Sequence, residues 1–251
     1  MLKNINPTQK ISSFRQLAKS LRQEKSGLAL VEFAMAFPVF LGLGMYGTEV
    51  AYLAVTKMQV EQIALNLADN ASRMGETPNG AASRVIAESD IASVFTGARL
   101  QGERFGLTQR GRIILSSSER IEGQTAAERA AREDDPWGGI VWQRCLGEAQ
   151  ESSTYGGPNI WSRWRGEGEL WYWDQATNQW RFRNAIVPEQ GEALMFAEVF
   201  YNYEGLFGDL FLEGRQLRAQ FSFGIRDDRE LFVQPVNDGA TQYTCDQYTA
   251  E

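Results

Sequence analysis

The feature that most limits what this chain can fold into is a single apolar run. From Leu28 to Val55 the only formal charges are Glu32, near the start, and Glu49, near the end. Seventeen positions separate them, which on a helix is about 25 Å. A bilayer core is about 30 Å thick and takes about 20 mostly apolar residues to cross. The run therefore reads as a membrane-crossing helix whose two carboxylates sit near opposite faces. Its uncharged part, Phe33 to Thr48, is short for a span, and Val50 to Val55 extend it where Glu49 reaches the interface.

Orientation follows from the residues before Leu28. They carry Lys3, Lys10, Arg15, Lys19, Arg22 and Lys25 against the single acid Glu24. Positive charge is retained in the cytoplasm, so the C-terminal bulk is expected outside. The competing reading is a cleaved secretory signal, which needs an apolar core of about 7–15 residues and a small-residue cleavage site after it. Here the run is longer, carries Glu32 almost at its start, and passes into further helical pattern.

The 251 residues suffice for one anchor and one exported domain of moderate size. Loss of the leader, with its six cations and one acid, would take the formal charge from −7 to −12. Such an acidic domain repels nucleic acid and anionic headgroups, so no nucleic-acid partner is expected. The chain has no histidine. That excludes His-dependent triads, His metal sites and the commonest general base. No cofactor, metal centre or catalytic residue is expected. The two cysteines, Cys145 and Cys245, both fall in the exported part. An even pair in an oxidising compartment reads as a disulfide, and two buried thiols are the alternative.

Gly42, Gly44 and Gly47 match the G-x-G-x-x-G spacing of dinucleotide-binding turns. That reading needs a preceding strand and a βαβ unit, and here the glycines lie inside an apolar helix. Their effect is mechanical. Pro38 removes the helical bond to the Ala34 carbonyl, and each glycine costs about 1 kcal/mol relative to alanine. The span is softened from Pro38 to Gly47, and small residues let neighbouring helices approach closely. An ordinary glycine-containing membrane helix would look the same.

Before the run, Phe14 to Lys19 fits a short amphipathic helix or a soluble tail. Beyond it, Thr56 to Met74 continues as helix, with Val60, Ile63, Leu67, Ala71 and Met74 at spacings of three and four. This stripe suits packing on the protein's own domain or on a neighbouring subunit. Gly75 ends the helix and Pro78-Asn79-Gly80 supplies a turn. Ala81 to Thr96 reads as a second helix. Arg112 to Ser116 and Ile140 to Cys145 read as strands, Thr125 to Asp135 as a short helix or loop, and Ala149 to Asn159 as a loop. Trp161, Trp164, Trp171, Trp173 and Trp180 then cluster. Glu169 to Trp173 and Gln179 to Arg183 form a hairpin around Asp174 to Asn178. The tryptophans suit sheet packing, or else a glycan-binding or subunit-docking platform. Glu167 and Glu169, two apart on one strand, cannot flank a sugar from opposite sides as glycosidase carboxylates must. Ala193 to Tyr203 and Gln216 to Phe223 are the clearest strands, the second alternating apolar and polar residues as in an antiparallel sheet. Leu231 to Val233 adds a last short strand. The polar tail, Asn237 to Glu251, is held only through Cys245.

The string Gly27-Leu28-Ala29-Leu30-Val31-Glu32-Phe33, with Pro38 and an aromatic-rich apolar run behind it, resembles the N-terminus of TadE/TadF-like pseudopilins. These are minor pilin-like proteins of tight-adherence (Flp, type IVc) pilus systems. The resemblance covers about residues 19–75. The wider type IV pilin class shares a basic leader ending in Gly, an acid at the fifth mature position and a long hydrophobic helix. Counting from Leu28 puts Glu32 fifth, although Leu28 stands where phenylalanine or methionine is usual. Glu198 to Tyr203 is weakly similar to the valine- and tyrosine-rich late strand of the same family. The resemblance implies cleavage between Gly27 and Leu28 by a prepilin-type membrane peptidase. It also implies pairing of Glu32 with the freed amine of Leu28, often on a neighbouring subunit. Read from the residue alone, Glu32 could instead snorkel to the headgroups.

The expected fold is α+β: a long N-terminal membrane-spanning and amphipathic helix, then an antiparallel-sheet exported domain. The expected divisions are a leader at 1–27, a pilin-like helix at 28–75 and an exported α+β domain at 76–251. The expected function is structural: assembly, initiation or capping of a pilus or related secretion filament. Its partners would be other pilin-like subunits, the assembly machinery and the prepilin peptidase. It would sit in the inner membrane as a single-pass protein with its C-terminal domain in the periplasm. The alternative is a membrane-anchored exported binding module, for glycan, that uses its tryptophans.

Overall fold

The computed structural model describes residues 19, 26–75, 84–121, 137–158, 161–164, 169–174, 179–184, 188, 192–212, 214–226 and 229–251, with backbone alone from 161 to 184. Expectations for Phe14 to Ala18, the Pro78-Asn79-Gly80 turn, Thr125 to Asp135, Glu167, the 175–178 turn and the tryptophan side chains of 161–180 lie outside the described residues. Two compact units are present, Met1–Ala51 and Tyr52–Glu251.

Helix α1 spans Ser26–Arg73, 48 residues or about 72 Å. Pro38 lies inside it without ending it. In the first unit its apolar side chains, Leu30, Phe33, Met35, Phe40 and Leu43 among them, are exposed. The helix is long and apolar enough to span a membrane. Glu32 is exposed. Glu49 is fully buried, at 0% exposure. In the second unit the predicted stripe is the buried one: Val60, Ile63, Leu67, Ala71 and Met74 all join the core. It packs against the protein's own sheet, sharing a cluster with Ile113, Leu115, Met195 and Val199. Helical structure stops at Arg73, and Gly75 takes φ +108°, a conformation that favours glycine.

The sheet is antiparallel throughout, in the order β5-β4-β3-β2-β1-β6-β7. Four long strands form its body: β1 (Gly111–Ile121), β2 (Trp137–Leu146), β6 (Ala193–Asn202) and β7 (Gln216–Gly224). The short β3 (Trp161–Trp164), β4 (Glu169–Asp174) and β5 (Gln179–Asn184) extend it beyond β2. The β4–β5 hairpin is the predicted one, with Trp173 opposite Trp180. Strand β1 is central, and Ile113 faces both Leu146 and Val199. Ile113, Leu115, Met195, Ala197, Val199 and Tyr201 meet the helical layer. Ile114, Cys145 and Phe200 cluster separately with Cys245, on the other side of the pleat.

Three expectations are corrected. The second helix, α2, is Glu88–Gly102 rather than Ala81 to Thr96. Residues 84–87 are extended because the tail claims their backbone: Arg84 bridges Arg229, and Ala87 bridges Val236. The Glu230 N–H donates to the Arg84 carbonyl at 3.2 Å, and the Val236 N–H to that of Ile86 at 2.8 Å. Asp90 then accepts the Ala87 N–H at 2.9 Å, which starts the helix. Second, Leu231 to Val233 is no strand. It is a bend in which Phe232 takes φ +63°, a left-handed conformation costly for an aromatic residue. Third, the tail is held by far more than Cys245, as the site geometry shows. Trp161 and Trp164 also fall on a strand of their own, paired to β2 through Trp161 opposite Gly139.

Candidate functional site

The head of α1 places Gly27, Leu28 and Glu32 in solvent-accessible positions. Leu28 and Glu32 are four apart, so they share one helix face. A Cβ built on Gly27, Gly42, Gly44 or Gly47 would meet nothing within 4 Å. Among the described residues, none packs where a side chain at these glycines would stand.

In the second unit the chemistry-bearing residues are gathered by the C-terminal tail. Cys145 and Cys245 form a disulfide, with Cα atoms 4.8 Å apart. This bond suggests an extracytoplasmic domain. Alongside it the Cys145 N–H donates to the Tyr243 carbonyl at 2.8 Å, and the Gly147 N–H to that of Thr249 at 2.7 Å. The tail thus extends the free part of the β2 edge, while the Tyr243 ring packs edge-on against Phe95 of α2.

Two buried arginines complete the strap. Arg112, on β1, donates to the carbonyls of Gly147 at 2.6 Å, Gln247 at 2.7 Å and Cys245 at 2.8 Å. Its guanidinium also lies 4.2 Å from the centre of the Tyr248 ring. Arg144, on β2, meets Glu88 at the start of α2. Its Nε donates to Oε2 at 3.0 Å and to Oε1 at 3.2 Å, its Nη2 donates to Oε1 as well, and Gln242 of the tail adds a bond to Oε1 at 3.1 Å. A buried charge pair is tolerable only when its remaining hydrogen-bonding capacity is met in this way.

On the sheet face that also carries Arg112 and Ile114, Glu198 of β6 is fully buried. It accepts bonds from the Ser153 hydroxyl, the Thr154 N–H and hydroxyl, and Arg218 of β7. Both oxygens are occupied and the charge is countered by Arg218. The arrangement locks the loop at 151–157 onto the sheet. Between that loop and the tail lies a cavity of about 250 Å³, lined in part by Ile114, Gln143, Ser153, Cys245 and Tyr248. Among the described residues no group of three His, Cys, Asp or Glu side chains is placed to hold a metal ion.

Glu119, at the far end of β1, accepts the Ser117 hydroxyl at 2.8 Å and the N–H of Phe232, and so holds that strained bend. Burial pushes its carboxyl above the ordinary range, while the hydrogen bonds from Phe232 and Ser117 and the nearby charge of Arg229 oppose this. A folded-state pKa that is raised contributes stability fully present below the unfolded pKa and lost as pH rises through the folded one. Glu119→Gln is therefore expected to flatten the stability profile in that window, measured by urea unfolding across the acidic range. An unchanged profile would mean that Glu119 titrates alike in both states.

The structure brings together Cys145 and Cys245, and pairs the backbones of Trp161, Trp171 and Trp180 into one sheet region. Arg112, Arg144, Glu88, Glu198 and Arg218 were not expected as a set. The available signal was a lone charge inside an otherwise apolar strand. No protein-family model, curated protein or solved structure matches this chain. What stands is the class: an α+β protein with one long apolar N-terminal helix and a disulfide-bonded antiparallel-sheet domain.

Proposed function

We propose that the protein is a minor pilin-like subunit that helps assemble, initiate or cap a filament of the tight-adherence type, and that it acts structurally rather than catalytically. The observation that carries this reading is the make-up of α1. A single helix of 48 residues is apolar and exposed in one half and forms the wall of a folded domain in the other. Among the described residues nothing packs where a Cβ on its glycines would stand, which leaves room for close approach by other helices. Glu32 stands one helical turn from Leu28, where a membrane carboxylate would pair with a freed amine. On this reading the protein starts in the inner membrane with its basic leader in the cytoplasm and the sheet domain in the periplasm. Cleavage after Gly27 by a prepilin-type peptidase precedes assembly.

The test is N-terminal sequencing of the protein purified from membranes that contain such a peptidase. The mature chain is expected to begin at Leu28, and Gly27→Leu to leave it at full length. Glu32→Ala should keep the protein in the membrane while removing it from filament-bound fractions. A purified chain that retains Met1 and an Ala variant that co-fractionates with filaments would together overturn the proposal.

A further inference from the structure

The connection between β6 and β7, residues 203–215, is unusually greasy for a surface loop. It carries Leu206, Phe207, Leu210, Phe211 and Leu212 within seven positions. The loop is closed at its base, where the Tyr203 N–H donates to the Arg215 carbonyl at 2.8 Å. Its tip is a 3-10 turn, Gly208–Leu210, entered through Gly208 at φ +64°. The rings of Phe207 and Phe211 pack edge-on with centroids 6.2 Å apart. Leu206 and Leu210 are left outside, 54% and 67% exposed. The fold thus shapes this loop to present leucines outward.

The place of the loop indicates what those leucines meet. The Tyr203 ring lies 6.0 Å from that of Tyr52, and Tyr52 belongs to the apolar run that ends at Val55. At the other end of the domain, the Arg226 N–H donates to the Ser72 carbonyl. Tyr52 to Ser72 is about 30 Å of helix, and Ala193 to Tyr203 is about 33 Å of strand. Strand β6 therefore runs the length of this helical segment and delivers its following loop to the Tyr52 end. That end of the domain is the one joined to the membrane-crossing residues. It also carries an open cleft of about 560 Å³ lined by Tyr52, Arg104, Phe105, Arg110, Glu204 and Leu206. Tyrosines and arginines of this kind suit the boundary between lipid and water.

We propose that the 203–215 loop, led by Leu206 and Leu210, seats in the headgroup layer of the bilayer leaflet that faces the sheet domain. This rests on the reading that α1 crosses that bilayer. The occupant of the apolar surface is lipid, because the surface sits where the chain itself enters the membrane. Attachment is by apolar insertion rather than by charge. The sequence of the loop holds three acids, Glu204, Asp209 and Glu213, and one cation, Arg215, and Arg110 is already paired with Glu204. The contact should therefore be insensitive to salt and independent of anionic lipid.

The test reconstitutes the full chain in vesicles of phosphatidylethanolamine and phosphatidylglycerol, with a nitroxide placed in turn on Phe40→Cys, Leu210→Cys and Glu230→Cys. Retention of the native disulfide is checked by gel mobility. Accessibility to oxygen, which enters lipid, is compared with accessibility to a water-soluble nickel chelate. The oxygen-to-nickel ratio at position 210 is expected to exceed that at 230 several-fold, to approach that at 40, and to hold in high salt. If position 40 reads lipid while 210 reads like 230, the proposal is overturned and the anchor stands. If position 40 reads water, the anchor reading fails and takes the proposal with it. If position 210 is closed to both reagents, a protein covers the loop, and the lipid assignment is overturned in favour of a second copy or a partner chain.

Discussion

Arg144→Ala should destabilise the sheet domain by about 3–5 kcal/mol, the cost of stranding one charge of a buried pair. Glu88 is fully buried and relies on Arg144 and Gln242 for its hydrogen bonds. Without the guanidinium it keeps only the amide of Gln242. The loss spreads further, because Glu88 starts α2 and its backbone N–H also holds the Val236 carbonyl at 3.0 Å. A combined Glu88→Leu, Arg144→Met variant should be much less harmed, since neither charge is left alone. Urea unfolding of the detergent-solubilised protein, followed by tryptophan fluorescence, measures both. The exposed Lys57–Glu61 pair, at 3.7 Å and one helical turn apart, is the internal reference and should be worth about 0.3–0.5 kcal/mol. A loss for Arg144→Ala no larger than that reference would mean that water reaches Glu88.

Cys245→Ser should produce an effect of the same order by a different route. The bridge closes a loop of 100 residues, for which chain entropy alone gives about 4.7 kcal/mol at most. The consequence does not stop at the unfolded state. Once the tail is loose, Arg112 loses the carbonyls of Cys245 and Gln247, and keeps only that of Gly147. A buried guanidinium with most of its acceptors gone is costly. Hydrogen exchange should therefore rise at the amides of Cys145 and Gly147, which the tail carbonyls protect, and the melting temperature should drop on reduction. Unchanged exchange at these two amides after reduction would show that the arginines alone keep the tail in place.

What the sequence made legible was periodic and local. The stripe from Val60 to Met74 has one period and one buried face, and the helix has both. Strand β7 announces itself by alternation and β6 by a nearly continuous apolar run, and two cysteines leave one pairing. What it concealed was long-range. Glu88 and Arg144 are 56 positions apart and Arg112 and Gln247 are 135 apart, so no window of local pattern contains both partners. The second helix was misplaced for the same reason. Val85 and Ile86 fit its apolar spacing, yet the carbonyls of Arg84 and Ile86 are taken by Glu230 and Val236 from the segment after β7.

The late arrival of the tail also sets a timetable. Gln242 reaches Glu88 across 154 positions of chain, so helix α2 and strands β1 and β2 are synthesised long before the segment that closes over them. Until residues 242–249 follow, Arg112 lacks two of its three carbonyl acceptors, Glu88 the amide of Gln242 and Cys145 its disulfide partner. The contacts made by residues 242–249 can therefore form only after the rest of the sheet domain has been made.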